Sequence, residues 1–380
     1  MAVAGPLGMV VFYVGHDQLA VVASVLLLVA VAVAASRAAV RRSQPRPVGM
    51  PEVATPPPSR PFLIMNPRSG GGKVARFGLD TSASQLGAQV ALLDGNEQVD
   101  VEALARAAAA DGADLLGVAG GDGTQALVAG VASELDLPFL VLSAGTRNHF
   151  AMDLGLDREH PDTGLDALHD GVEIRIDLGD IGGRTFVNNV SFGAYAAIVQ
   201  SPAYRDDKRG TTLQLLPDLL AGEHGDRLRV RVDGVPGIDD PAALLVSNNP
   251  YGLGDLAGLN HRARLDSGVL GVVGITVGSA GMAAGLLGGR RAKGVVVTSA
   301  REVVVDADAT AIPVGIDGEA VLMPTPVRCT IRPGALRVRV PRRRPGVPTQ
   351  RPPTSWALVQ RQAFDLRQIS SRAAQARGPR

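Results

Sequence analysis

Three glycine-rich segments in the first half of the chain each follow a short apolar run. Apolar runs that are closed by turn residues predict buried strands, and the segments between them have the composition of helices. Strands that alternate with helices predict a doubly wound parallel sheet, whose ligands lie at the carboxyl ends of the strands. The predicted strands are 61–66, 88–93, 114–119 and 138–142, and the predicted helices are 99–110 and 124–135.

The second half has a different pattern. After about Glu173, short β-like runs recur with few helices between them, which is typical of an antiparallel sandwich or barrel. The fold class that we expect is therefore α/β, with a parallel sheet followed by an antiparallel β-sandwich domain. The runs are 173–178, 185–190, 228–232, 242–247, 269–277, 295–298, 302–305 and 329–331.

An apolar stretch near the start predicts a transmembrane helix. Leu19–Ala35 holds nothing more polar than Ser24, and its 17 residues are at the lower limit for crossing a bilayer. Arginines follow this stretch rather than precede it, which favours an uncleaved anchor over a signal peptide. The positive-inside rule then leaves everything after Arg37 in the cytoplasm, so we expect a single-pass protein of the cell membrane.

Proline-rich and arginine-rich segments divide the rest of the chain. Residues 1–60 are predicted to be the membrane anchor and a linker, with no core strand before Pro61. The tail contains nine arginines and one acidic residue, and its part from 355 to 376 is either a helix on an anionic membrane surface or disordered. The predicted domains are 61–172 (α/β), 173–340 (β-rich) and 341–380 (basic tail).

Composition excludes several classes of protein. The net charge is +1 and aromatic residues make up 3% of the chain, so no nucleic-acid partner is expected. A single cysteine excludes a disulfide framework and fits a reducing compartment.

The three glycine-rich segments are suited to binding an anion. They are the first loop (residues 66–73), the second loop (120–124) and the third loop (143–148). Glycines let backbone N–H groups approach a phosphate, and a helix that begins in such a loop adds partial positive charge. Neither the Walker pattern nor G-x-G-x-x-G fits them. Lys73 ends the first loop and is either a phosphate contact or a solvated surface residue.

Four motifs together resemble a known family. They are Asn-Pro-x-Ser-Gly at 66–70, Gly-Gly-Asp-Gly-Thr at 120–124, Gly-Thr-x-Asn at 145–148 and Asp-Gly-Glu at 317–319. In this order they resemble the catalytic domain of the diacylglycerol kinase superfamily, which includes sphingosine kinases and bacterial lipid kinases. The resemblance extends over roughly 62–340. It implies ATP-dependent phosphorylation of a lipid hydroxyl, with ATP bound by the α/β domain and the β-rich domain closing the cleft.

The resemblance also implies roles for individual residues. We interpret Asp122 as binding Mg²⁺, directly or through water, near the nucleotide phosphates; the alternative is an Asp that only forms the turn. Asp177 matches a position in the water–Mg²⁺ network of related kinases, and Asp180 is its competitor; either one is alternatively a turn cap. Relatives often have Asp where this chain has His149. The residues expected in the ATP pocket are Asn66, Ser69, Gly70, Gly121, Asp122, Gly123, Thr124 and Thr146.

Asp317 is the expected catalytic residue. Transfer of a phosphoryl group to an alcohol needs a base that accepts the hydroxyl proton, and in the family pattern this base is the Asp of Asp-Gly-Glu. Glu319 is expected to orient Asp317 or to assist the metal. The alternative is that Asp317-Gly318 is only a hairpin turn, since Asp-Gly between strands is a strong turn signal.

The expected partners are a lipid substrate and the anionic inner surface of the membrane, and a homodimer is left open. Two other functions compete with a lipid kinase. NAD kinase also carries Gly-Gly-Asp-Gly, although its Asn-x-Asp loop is missing here. A catalytically silent nucleotide-binding membrane protein is the other alternative, and the presence of Asp122, Asp317 and Glu319 argues against it.

Overall fold

The structure is a computed structural model that describes residues 50–93, 99–194, 196, 227–251, 262, 264–276 and 294–346. The predicted membrane helix at 19–35 and the predicted tail helix at 355–376 lie outside these residues. Within the described ranges, no helix combines the length and the apolar character needed to cross a membrane.

Strands and helices alternate through the first part, as predicted. Two 3₁₀ helices, Ser69–Gly71 and Pro161–Leu168, add to them. The elements are β1 (Glu52–Ala54), β2 (Pro61–Met65), α1 (Lys73–Arg76), α2 (Leu79–Gln85), β3 (Gln89–Leu92), α3 (Val101–Ala110), β4 (Leu115–Ala119), α4 (Asp122–Glu134), β5 (Phe139–Leu142) and α5 (His149–Asp153).

The second part is built from strands. They are β6 (Gly171–Ile181), β7 (Arg184–Phe186), β8 (Asn189–Gly193), β9 (Leu228–Val232), β10 (Val235–Asp239), β11 (Ala243–Asn248), β12 (Leu270–Ile275), β13 (Val295–Ala300), β14 (Glu302–Ala307), β15 (Ala311–Ile316), β16 (Glu319–Pro324) and β17 (Val327–Pro341).

The parallel sheet has the strand order β5-β4-β2-β3. β4 and β5 are buried along their whole length, because helices cover both faces of the sheet. On one face α3 and α4 pack against Ile64 and Val118. On the other face α1 and α2 pack against Leu63 and Leu115. The predicted α/β arrangement with a parallel sheet is therefore confirmed.

A separate antiparallel sheet has the strand order β13-β12-β11-β8-β15-β16. Its inner face includes Phe192 and Val246. This face shares one apolar core with Val303 of β14 and Cys329 of β17. The prediction of a separate antiparallel sheet is confirmed. The sequence pattern had not identified β15 and β16, the two strands that flank Asp317.

β17 connects the two parts of the fold. It pairs antiparallel with β6 along its length, with β14 at its start, and in parallel with β5 through Val338 and Phe139. The sequence pattern predicted only 329–331 as a strand, because Pro333 and Gly334 are typical of a turn. The structure accommodates them where the register shifts between Arg332 and Leu336, since an irregularity in the ladder tolerates proline.

No core strand was expected before Pro61, but a short exposed strand, β1, lies within the predicted linker and pairs with β6. Contacts with arginines from the far end of the chain hold this segment in place. The Arg344 guanidinium donates to Glu52 Oε1 at 2.6 Å, and that of Arg339 donates to the Thr55 hydroxyl and the Pro56 carbonyl. Local sequence contains no sign of these distant partners.

A truncated chain that begins at residue 60 should therefore be less stable than one that begins at residue 50. Its buried Arg339 and Arg344 would lose the partners that β1 and residues 55–56 supply. We expect a loss of about 1–3 kcal/mol in the free energy of unfolding, measured by urea denaturation of both fragments. Equal midpoints would show that the segment contributes nothing to the fold.

Candidate functional site

The three glycine loops meet at the carboxyl ends of β2, β4 and β5. The Asn66 N–H donates to the Ala119 carbonyl at 2.8 Å, which joins the ends of β2 and β4. A Cβ on Gly70 would lie 2.5 Å from the carbonyl oxygen of Ala144, and one on Gly145 would lie 2.8 Å from that of Gly120. The first loop therefore packs against the third, and the third against the second.

The third loop is folded around Asn148. Its side-chain oxygen accepts from the Gly145 N–H at 2.7 Å and its amide donates to the Gly145 carbonyl at 2.8 Å.

The buried ammonium of Lys73 donates to the carbonyls of Ser143 and Arg158, and burial lowers the pKa of this lysine. Lys73 is therefore not a solvated surface residue, because its ammonium ties the first loop to the third.

Several residues that were predicted to line the ATP pocket have structural positions or contacts within their own loops. The Asn66 side-chain oxygen accepts from the Arg68 N–H, and Ser69 begins a 3₁₀ helix. Thr146 is exposed at the tip of the third loop. Gly121 has no heavy atom within 4 Å of the position that a Cβ would occupy, so the space in front of it is open.

Asp122 lies in the first turn of α4. Its Oδ1 is buried and has no hydrogen-bond partner among the described residues. Burial raises the pKa of this carboxyl, while His149 and a hydrogen bond from the Asn188 side chain oppose the rise. Burial lowers the pKa of His149 in turn. An unpartnered carboxylate oxygen at a helix N-terminus is an available ligand for a cation.

Asp317 occupies the first position of a two-residue turn between β15 and β16 and has φ of 47°. The predicted hairpin is therefore present, but the side chain also has a second set of contacts. Its carboxylate accepts from the backbone N–H groups of Val187, Asn188 and Asn189 at 2.8, 2.8 and 3.0 Å. Burial, together with the negative charge of Asp122, raises the pKa of Asp317 to about 7, against the effect of these three donors.

Glu319 joins the hairpin to the second loop. A Cβ on Gly123 would overlap the Glu319 carboxylate, so this carboxylate lies over the N-terminal turn of α4, where a negative charge is favoured. Its partner is the Arg184 guanidinium at 3.2 Å. Asp122, Asp317 and Glu319 are therefore brought to one region from two separate segments, the N-terminal turn of α4 and the β15–β16 hairpin.

Asp177, the second predicted Mg²⁺ ligand, is hydrogen-bonded to backbone groups of two other segments. Its carboxylate accepts from the N–H groups of Gly268 at 2.6 Å and Gly334 at 2.8 Å. Its competitor Asp180 accepts from the Gly183 N–H and caps the turn between β6 and β7. In the part of the chain that the structure describes, no three His, Cys, Asp or Glu residues are grouped to hold a metal ion.

Sequence reasoning missed three residues of this region. Asn188 is buried against Asp317, Arg262 is buried against Asn188, and Asp153 forms an ion pair with Arg262. A pair of asparagines directly after the apolar Phe186-Val187 was a usable signal for Asn188. No local pattern distinguishes Arg262.

Residues 60–181 match the family model described as the diacylglycerol kinase catalytic domain. The predicted resemblance is thereby confirmed. The three glycine loops and Asp177 fall inside the matched range, whereas Asp317 and Glu319 fall outside it, so their roles depend on the geometry above.

Curated relatives match over part of their length. A diacylglycerol kinase of Mycobacterium tuberculosis (strain CDC 1551 / Oshkosh) is 34% identical over 120 residues, which is 31% of this chain and 39% of the relative. A diacylglycerol kinase of Bacillus subtilis (strain 168) is 42% identical over 77 residues, which is 20% of this chain and 25% of that protein. This chain thus spans about two fifths or less of the length of these relatives.

Solved structures extend the likeness to 74% of the chain. The crystal structure of a diacylglycerol kinase from Bacillus anthracis strain Sterne covers 74% of this chain and 96% of its own, with a TM-score of 0.57 and 18% identity. At this identity the likeness establishes the fold alone. The catalytic-domain match covers the parallel sheet and β6, and the structural likeness covers the two-part architecture.

Proposed function

We propose that this chain is an ATP-dependent lipid kinase that transfers the γ-phosphoryl group to the hydroxyl of diacylglycerol or a related lipid. The observation that carries the proposal is the position of Asp317. The pKa of its carboxyl is raised to about 7 by burial and by the negative charge of Asp122. Asp122 in turn begins the helix that follows the second glycine loop. A base, a cation ligand and an anion-binding edge in one region match the needs of phosphoryl transfer.

The glycine loops are suited to the nucleotide. The open space in front of Gly121 and the N-terminus of α4 favour a bound phosphate, and the unpartnered Oδ1 of Asp122 suits a hard cation such as Mg²⁺. A divalent ion at that oxygen would neutralise charge on the ATP phosphates. We propose residues 61–172 as the ATP-binding part and 173–340 as the part that binds the lipid.

Asp317 acts as the base in this proposal. The lipid hydroxyl oxygen forms a bond to the γ-phosphorus as the bond from that phosphorus to the bridging oxygen of ADP breaks. The hydroxyl proton passes to the Asp317 carboxylate, and ADP leaves with the electron pair. The three backbone N–H groups hold the carboxylate in one orientation, and Glu319 neutralises Arg184 beside it.

Activity should depend on pH through Asp317. Because its pKa is raised to about 7, the carboxyl is protonated and inactive as a base below that pH. We expect log kcat/KM for the lipid to rise with pH up to about 7 and then to level. Asp122 also has a raised pKa, so the profile should be measured at two saturating Mg²⁺ concentrations.

Raising Mg²⁺ displaces a proton from a metal ligand and moves its titration to lower pH, whereas the titration of a base is expected to move far less. A rise near pH 7 that persists at both concentrations supports Asp317. A rate that is independent of pH between 5 and 8 would contradict the assignment.

The identity of the acceptor is tested by a direct transfer assay. Purified full-length chain should be incubated with labelled ATP and with diacylglycerol, sphingosine or NAD. Label in a lipid product supports the kinase; label in NADP would identify the competing enzyme, and no transfer to any acceptor would favour a silent nucleotide-binding protein. We further propose that the chain is a single-pass protein of the cell membrane, with its catalytic part at the anionic inner surface. The oligomeric state of the same purified preparations tests whether the chain forms a homodimer.

A further inference from the structure

Arg262 has more polar contacts than a buried ion pair needs. Its side chain is buried and its Nε donates to Asp153 Oδ2 at 2.6 Å. One terminal nitrogen donates to the carbonyls of Val187 and Asn248, each at 2.7 Å. The other donates to the side-chain oxygen of Asn188 at 2.9 Å. One guanidinium thus contacts α5, β11 and the turn before β8.

Asn188 in turn contacts the carboxylate that we propose as the base. Its backbone N–H donates to Asp317 Oδ1 at 2.8 Å, while its side-chain oxygen accepts from Arg262 at 2.9 Å. The residue is buried. It therefore links Arg262 directly to the proposed base.

The guanidinium fixes which way the Asn188 amide faces. An amide that accepts from an N–H of Arg262 through its oxygen must point its NH₂ group away from the guanidinium. The reversed amide would set two donors against each other. The carbonyl of Val187, which also accepts from Arg262, precedes the N–H groups that bind Asp317.

We infer that Arg262, anchored by Asp153, is a positioning residue that orients Asn188 and the 187–189 turn toward Asp317. The inference rests on the proposed function, since it assigns these contacts to phosphoryl transfer. Arg262 does not itself contact the reacting atoms in this assignment. Its effect passes through Asn188, and this sets it apart from a residue that only stabilises the fold.

A double-mutant cycle tests this route in the full chain. Arg262→Lys keeps the charge near Asp153 but lacks the fork that reaches Val187 and Asn188 together. Asn188→Ala keeps the backbone N–H to Asp317 and removes the amide. We expect each single variant to lower kcat by about 10-fold with little change in KM for ATP, and the double variant to lose no more than Asn188→Ala alone. Losses that multiply would overturn the inference.

Arg264→Lys is the matched control. It changes an arginine two residues away that pairs with Asp266 at the surface, and it should leave kcat unchanged. If Arg262→Lys does not fold, Asp153→Asn replaces it in the cycle, because the neutral amide weakens the anchor of Arg262 without emptying the site.

Hydrogen exchange separates this inference from the proposed function. We expect the amides of residues 187–189 to exchange about 5-fold faster or more in Arg262→Lys, and at the native rate in Arg264→Lys. Unchanged exchange at 187–189 would overturn the positioning, whether or not the chain is a kinase. Faster exchange in a chain that transfers phosphate to no acceptor would keep the positioning and reject the proposed function.

Discussion

The Asp317→Asn variant should have a kcat lower by about 10²-fold or more on the lipid acceptor. Asparagine keeps the size of the side chain and tolerates the positive φ of the turn. Its oxygen still accepts from the N–H groups of Asn188 or Asn189, but it accepts no proton from a hydroxyl. KM for ATP should hardly change, because the base faces the acceptor rather than the nucleotide.

A second Asp-Gly hairpin provides a close control. Asp233 has φ of 48° before Gly234, and its carboxylate accepts from the N–H groups of Arg301 and Glu302 at 2.8 and 2.9 Å. Asp233→Asn therefore changes the same kind of turn and the same kind of bonds away from the glycine loops. If both variants lose activity to a similar extent, hairpin stability explains the loss. A normal kcat for Asp317→Asn would remove it as the base.

Local signals in the sequence were enough for the parallel sheet and the three loops. Each strand there is a short apolar run, and each loop contains glycines that the packing requires, as Gly70 and Gly145 demonstrate. The Asp-Gly turn at Asp317 was also visible as a turn signal. What a local pattern could not provide was the direction of the Asp317 carboxylate, because its three donors come from a segment about 130 residues earlier.

The misses share a physical cause. β1 is held by arginines from the other end of the chain, and β17 continues through Pro333-Gly334 because neighbouring strands pair on both sides. The role inferred for Arg262 depends on its contacts with Asp153 and Asn188, which are 109 and 74 residues away. Sequence-based prediction uses local composition and the spacing of apolar residues. Long-range pairing overrides both at these positions. The domain boundaries and the roles of the site residues stay predictions.

Gly145→Ala should reduce both stability and nucleotide binding. A Cβ there would lie 2.8 Å from the Gly120 carbonyl oxygen, 2.9 Å from Asn148 Oδ1 and 3.1 Å from the Gly121 Cα. Two of these neighbours are backbone, so the third loop must move away from the second. We expect a loss of about 1–3 kcal/mol in the free energy of unfolding, and a rise in KM for ATP of about 10-fold or more because the anion-binding edge is opened.

Gly121→Ala makes the same chemical change in open space and separates binding from folding. No heavy atom lies within 4 Å of its added methyl, and its φ of −73° suits alanine. The free energy of unfolding should fall by less than about 1 kcal/mol, the cost of a poorer helix cap. KM for ATP should nevertheless rise, because the methyl enters the space proposed for the phosphates. If KM for ATP in Gly121→Ala equals that of the native protein, the nucleotide binds elsewhere. Thermal unfolding measures the stability of both glycine variants, and ATP titration of the kinase reaction measures their KM.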